Sequence, residues 1–164
     1  MSYKKLNNIT GWVVCIIACI VYLLTMEGTI SFWDCGEFIA ASYKLQVGHP
    51  PGAPLFLLIG RVFTLFVTPE NVAYIINFLS VLSSAFSILF LFLTISELAQ
   101  KLLGRDEIDG NSDNQFKVLA AATVGALAYT WTDSFWFSAV EAEVYAMSSL
   151  FIAIVFWAMV KWDR

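Results

Sequence analysis

The pattern of apolar and polar positions divides the chain into long uncharged runs separated by short polar joints. Ile9 to Met26 carries no charge over 18 residues, Asn71 to Ser96 none over 26, and Val144 to Val160 none over 17. A helix needs roughly 20 residues to cross the ~30 Å hydrocarbon core, so each run predicts a membrane span. Phe116 to Thr132, apolar apart from Lys117, predicts a fourth that ends at Asp133. The expected spans are 9–26, 71–98, 116–132 and 144–160, joined by a first outer loop over 27–70 and a cytoplasmic loop over 99–115. Within the first loop, "APLFLLIGRVFTLFVT", residues 53–68, has Arg61 near its middle. A centred Arg costs about 2.5–3.5 kcal/mol on insertion scales, so this piece predicts a short helix lying on the surface or packed against the bundle.

Composition agrees. Hydrophobic residues make up 59% of the chain against 13% charged, with mean hydropathy +0.74, more apolar surface than a soluble domain of this size can hide. The fold class is an all-α integral membrane protein. The net charge of −4 comes from scattered acids, and no basic stripe marks a nucleic-acid partner. "MSYKKLNN" opens the chain with basic residues, but "YLLTMEGTISFWD" offers no small-x-small cleavage site, so the first helix is expected to stay uncleaved. Lys4, Lys5, Lys101, Arg105, Lys117, Lys161 and Arg164 share one side of a four-span arrangement, and only Lys44 and Arg61 lie opposite. The basic side is expected to be cytoplasmic, with both ends of this chain inside and residues 27–70 and 133–143 outside. Residues 104–115, "GRDEIDGNSDNQ", read as a solvated connection.

The outer acids form two clusters. "SFWDCGE" sets Asp34 and Glu37 one helical turn apart, and "SAVEAEVYA" sets Glu141 and Glu143 just before the last span. Carboxylates held together in a dry site repel, which raises one pKa and makes a group suited to proton transfer. A second reading stands beside this one. Ser31-x-x-Asp34 and Ser138-x-x-Glu141 both fit capping boxes, in which the acid only ties off a helix start. That reading accounts for one acid in each cluster and leaves Glu37 and Glu143 unexplained. His49 sits in "GHPPGAP", a rigid turn in which Pro50, Pro51 and Pro54 fix backbone angles ahead of a helix. Arg61 and Lys44 are the natural anion partners on this side, although an Arg that snorkels from a helix surface is commoner. Cys15 and Cys19 behave as small hydrophobes on one helix face, and Cys35 reads as a small residue that lets the Asp34–Glu37 turn pack.

These strings carry a resemblance. A first span followed by "FWDCGEFIAASYKLQVGHPPGAPLF" and later by "FWFSAVEAEVYA" resembles the start of the bacterial protein O-mannosyltransferase-like membrane proteins, which are similar to the GT-C class of polytopic glycosyltransferases. The resemblance covers nearly the whole chain, and W-D-x-G-E, H-P-P-G-x-P and E-x-E-V-Y are its specific motifs. Such enzymes are bundles of many more spans, so the resemblance implies the N-terminal part of a longer enzyme with a GT-C fold. It implies transfer of a mannose-like sugar from a polyprenyl-phosphate donor to Ser or Thr hydroxyls of an exported polypeptide acceptor. The implied setting is the periplasmic face of a bacterial inner membrane, among membrane lipid. Asp34 would act as the base, with Glu37, Glu141 and Glu143 completing the catalytic set. His49 or Arg61, with Lys44, would meet the donor phosphate, and Tyr145 would join the substrate-binding residues. The resemblance makes no cofactor certain, and a divalent cation held by Asp34, Glu141 and Glu143 is left open.

Two other classes compete with this one. A small transporter would bury acids at mid-span in broken helices, and these spans are almost free of charge. An assembly subunit would need only packing surfaces, which Gly60, Gly125, Ala120 to Ala122 and Ser83 to Ser84 supply, and would have no use for the outer acids.

Overall fold

The computed structural model describes residues 2–104, 107–108 and 110–162, and those residues are helical with short connections. The helices are α1 (Tyr3–Thr25), α2 (Cys35–Lys44), α3 (Pro54–Thr64), α4 (Val72–Leu103), α5 (Ser112–Thr130), α6 (Asp133–Val140) and α7 (Val144–Trp162), with a 3-10 turn at Pro69–Asn71 before α4. Three stretches are long and apolar enough to cross a membrane: Tyr3–Thr25, Pro69–Leu103 and Val144–Trp162. The fourth expected span, α5, falls short of that standard. Its first turn is the polar run Ser112 to Gln115 and Lys117 follows, which offsets the apolar residues after them. It nonetheless packs against α4 and α1 as a full member of the bundle.

The 32-residue α4 is the central post. Of its most apolar window 61% is buried, against 28% for α1 and 11% for α7, so α7 leaves most of its surface for lipid or for other helices. Side chains four apart form the ridges that meet: Val14, Ala18 and Tyr22 on α1, Ile88 and Phe92 on α4, Val118, Ala122 and Ala126 on α5. Small residues set the spacing. A Cβ on Gly11 would stand 3.0 Å from the Phe92 ring, and one on Gly125 would stand 2.9 Å from Ile95.

The chain runs up α1, down α4, up α5 and down α7, which gathers residues 27–53 and 131–143 at one end and Lys4, Lys101, Lys117 and Lys161 at the other. Arg105 and Arg164, two of the basic residues expected on the cytoplasmic side, lie outside the described residues. The stretch expected as one outer loop with a single short helix holds two. α3 starts with Pro54 in its first turn, where a missing N–H costs nothing, and buries Phe56, Leu57 and Gly60 against α2 and α4. α2 was not expected as a separate helix, but Cys35, Phe38, Ile39 and Ser42 fall on one face and are buried there. Its end is marked by Leu45 in the left-handed region, φ 49°, whose N–H returns to the Ala41 carbonyl. The expected short turn over 133–143 contains α6, which carries Phe135 and Trp136 edge-on to the Tyr22 ring.

Candidate functional site

The two outer segments are stitched together through the backbone and through α4. The Glu27 N–H donates to the Val140 carbonyl at 3.1 Å. Asn77, buried on α4, donates to the carbonyls of Glu27 and Thr29 at 2.7 and 3.0 Å. Three residues on, Ser80 Oγ accepts the Glu143 N–H at 3.4 Å. A buried amide or hydroxyl inside an apolar helix must find a partner, and these two spend theirs on fixing the approach of both loops.

The first group of functional side chains surrounds the start of α2. Glu37 Oε2 lies 2.9 Å from His49 Nδ1, and Glu37 Oε1 accepts the His49 backbone N–H at 2.6 Å. His49 Nε2 lies 3.9 Å from Asp34 Oδ2. Pairing with Glu37 and the nearby Asp34 charge raise the His49 pKa, and the same bonds lower that of Glu37. Gly48 leaves the room, since a Cβ there would stand 3.2 Å from Glu37 Oε1. The turn expected at "GHPPGAP" is present, closed by the Gly52 N–H on the His49 carbonyl at 2.8 Å, and the Pro50–Pro51 bond is cis.

The second group joins the two loops. Glu141 Oε2 accepts from Ser31 Oγ at 2.8 Å and from Cys35 Sγ at 3.2 Å, and Cys35 Sγ also lies 3.5 Å from Glu143 Oε1. Burial pushes the Cys35 thiol up to about 12, helped by both carboxylates. Glu143 is half-buried, and burial first, then the charges of Asp34 and Glu141, raise its pKa, against the opposing bonds from Cys35 and the Val144 N–H. A cavity of about 470 Å³ opens beside these acids. Glu27, Glu141 and Glu143 line it together with the aromatic side chains of Phe32, Trp33, Phe137 and Tyr145. Trp33 is held at φ 67°, a conformation that bulky residues rarely adopt, with its side chain almost wholly exposed.

The capping reading fails at both clusters. Asp34 stands at the N-cap position of α2 with helical backbone angles and makes no side-chain cap bond. Ser138 lies inside α6, bonded back to the Ser134 carbonyl, and Glu141 follows that helix in extended backbone. The structure therefore brings Glu141, Glu143 and Tyr145 to one cavity, and groups Asp34 with Glu37 and His49 beside it. Among the described residues, these last three are the group whose ligand atoms come within 4.8 Å of one another. The metal set of Asp34, Glu141 and Glu143 is not assembled. Arg61 is also placed elsewhere. It donates to the Tyr43 carbonyl and lies over the Tyr43 ring at 5.7 Å, joining α3 to α2. Lys44 closes α2, ten residues from Asp34, about 15 Å along the helix axis. Ser31, Cys35, Asn77, Ser80 and Glu27 are site residues that the sequence did not single out for these parts. Only Asn77 and Ser80, polar and three apart within an uncharged run, offered a signal.

Comparison with known proteins gives the chain's family. The profile of the family described as protein O-mannosyl-transferase TMEM260 N-terminal domain matches residues 34–164, which include both clusters. The chain is 27% identical to protein O-mannosyl-transferase tmem260 of Dictyostelium discoideum, over 98% of the chain and 18% of that relative. It is 29% identical to protein O-mannosyl-transferase TMEM260 of Mus musculus, over 88% of the chain and again 18% of the relative. The chain thus spans less than a fifth of the length of these curated relatives. No solved structure matches it.

Proposed function

The chain belongs to the protein O-mannosyl-transferase TMEM260 N-terminal domain family, and from that premise we propose that it forms the sugar-transfer site of a membrane O-mannosyltransferase. The donor is a mannose-like sugar on a polyprenyl phosphate, and the acceptor is a Ser or Thr hydroxyl of an exported polypeptide. One observation carries the reading: two segments more than 100 positions apart close on each other through Ser31, Cys35 and Glu141, beside a cavity walled by acids and aromatic rings. Carboxylates hydrogen-bond sugar hydroxyls, and aromatic faces cover the apolar faces of the ring. The site lies at an end of the helices long enough to span a membrane, where a lipid-borne donor would present its sugar.

In this mechanism Asp34 takes the acceptor hydroxyl proton as that oxygen attacks the anomeric carbon. The bond from the anomeric carbon to the phosphate oxygen breaks, and the electron pair leaves with the polyprenyl phosphate. Attack opposite the leaving group inverts the anomeric centre. His49, whose cationic form Glu37 favours and which lies beside Asp34, pairs with the leaving phosphate, a part the tethered Arg61 is poorly placed to play. Glu143, whose pKa burial raises most, is the acid of the pair better suited to share a proton with a sugar hydroxyl, and Glu141 accepts from another. A divalent cation would find its grouped ligands in Asp34, Glu37 and His49, but no step depends on one.

The test is transfer from a radiolabelled polyprenyl-phosphate sugar to a Ser/Thr peptide by the intact protein in purified membranes. Asp34→Asn keeps the shape and removes the base, with an expected loss of about 10² to 10⁴ in rate at unchanged expression. Because Asp34 makes no side-chain cap bond, a helix-start effect would not imitate this loss. Undiminished transfer would remove Asp34 as the base and move the search to Glu141 and Glu143.

A further inference from the structure

Ser31 and Cys35 are four positions apart, and both donate to a single atom, Glu141 Oε2, at 2.8 and 3.2 Å. Cys35 is fully buried, and the Phe38 N–H on the Asp34 carbonyl at 3.0 Å starts α2 beside it. With both ends of the stretch fixed on one oxygen, residues 32–34 have to turn back within three positions. Trp33 takes that turn at φ 67°, where a Cβ crowds the backbone and glycine is the usual occupant. Strain of this kind persists only where the surroundings over-determine it, and the paired bonds to Glu141 do so here.

The fold gains little from the side chain that bears the strain. Trp33 is 93% exposed and Phe32 88%, so neither ring is buried in the protein. Both instead stand at the rim of the cavity that holds Glu27, Glu141 and Glu143, to which the second segment adds Phe137 and Tyr145. Aromatic rings from two segments, together with carboxylates, fit a ligand that has an apolar face and an edge of hydroxyls. Among the described residues that line the cavity none is basic, which disfavours a phosphate there and leaves the place to a neutral group. A pyranose ring meets both conditions.

We propose that Trp33 is a sugar-binding residue: its indole, presented at the cavity by the clasp on Glu141, stacks on the apolar face of the donor's pyranose and holds that ring beside Asp34, its neighbour in the chain. The assignment rests on the sugar-transfer reading and adds to it the residue that selects the sugar-bearing carrier over the bare one. It also gives the strain a use, since glycine at this position would relax the backbone and lose the platform. A tryptophan that served only as an anchor in the headgroup layer would act on bare and sugar-bearing carrier alike.

The intact protein in mild detergent is titrated with mannosyl-phosphoryl-polyprenol and, in a separate arm, with polyprenyl phosphate of the same chain length, and bound lipid is read by native mass spectrometry. The native protein should hold the mannosyl lipid more tightly. Trp33→Gly should weaken the mannosyl lipid about three- to tenfold and leave the bare phosphate unchanged. Its unfolding midpoint should be unchanged or higher, which separates the loss from a folding defect. Trp33→Asn, which tolerates the same backbone and carries no ring, should repeat the loss, and Trp33→Phe should retain most of the affinity. Equal weakening of both lipids would make Trp33 a membrane anchor and overturn the proposal, as would undiminished binding of the mannosyl lipid by the Gly and Asn variants. Transfer by a native protein that holds the two lipids equally would leave the sugar-transfer reading intact and overturn this one, whereas a native protein with neither transfer nor preference would overturn both.

Discussion

Cys35 has one S–H proton and two carboxylate acceptors, so it bonds Glu141 and Glu143 in turn and never both at once. Cys35→Ala leaves those half-buried acids short of a donor and should cost about 1–3 kcal/mol of stability, read as the shift of the unfolding midpoint in detergent. Because burial and the acids hold the thiol protonated, native Cys35 should resist alkylation at pH 8. His49 gives a second residue-scale outcome, since the chain has one histidine and one imidazole signal to follow by NMR. Its midpoint should lie above 6.5 and fall back toward that value in Glu37→Gln. The sign follows from the two shifts. The cation–carboxylate pair contributes in full between pH 4.5 and 6.5, fades as pH rises through the raised His49 value, and fades again as pH falls through the lowered Glu37 value. If His49 holds the leaving phosphate, transfer should decline over that same upper limb. The acids and His49 were legible because nothing in a lipid-facing bundle calls for them. Cys35 was not, because a cysteine reads as a small apolar residue and its partners stand 106 and 108 positions away.

The α2–α3 pair is the element that carries the Asp34 cluster, and its packing rests on Gly60 and Arg61. A Cβ at Gly60 would stand 2.6 Å from Ser42 Oγ and 2.9 Å from Ser42 Cβ, so Gly60→Ala forces the helices apart. The expected cost is about 1–3 kcal/mol, visible as a lowered unfolding temperature in detergent. Arg61→Ala removes a charged donor from the Tyr43 carbonyl and should destabilise by about 1.5–3 kcal/mol while leaving donor affinity unchanged. A drop in donor affinity at unchanged stability would return Arg61 to the phosphate. The long helices were readable from length and hydropathy alone, and α3 from its apolar run and its proline start. α2 and α6 were hidden, because helices of 10 and 8 residues give too few turns for a clear period and sit among turn-forming residues. α5 lies between these cases, since its apolar stretch packs well and yet begins with a polar turn and Lys117.

At the scale of the whole molecule the acid clusters and Lys4, Lys101, Lys117 and Lys161 occupy opposite ends of one bundle, so the chain's orientation decides what each end meets. The distribution of lysines expects the carboxylate end outside the cytoplasm. With a membrane-impermeant maleimide, Gln46→Cys should be labelled in intact cells and Asp113→Cys only after permeabilisation. The native cysteines give little background, being buried or partly buried. The reverse pattern would place the acids inside and end the lipid-sugar reading. The bond from Ser31 to Glu141 also sets a timetable. Its two ends are 110 positions apart, and a ribosome adding roughly 5–20 residues per second needs about 5–20 s to make the intervening chain. Through that interval the first loop has neither its backbone clasp to Val140 nor the carboxylates that Cys35 meets in the folded chain. A nascent chain halted before α6 should therefore be cut readily by protease within residues 27–53, and the longer chain should be protected there. The joined acid site is thus assembled late, only once the second loop has been made and has met the first.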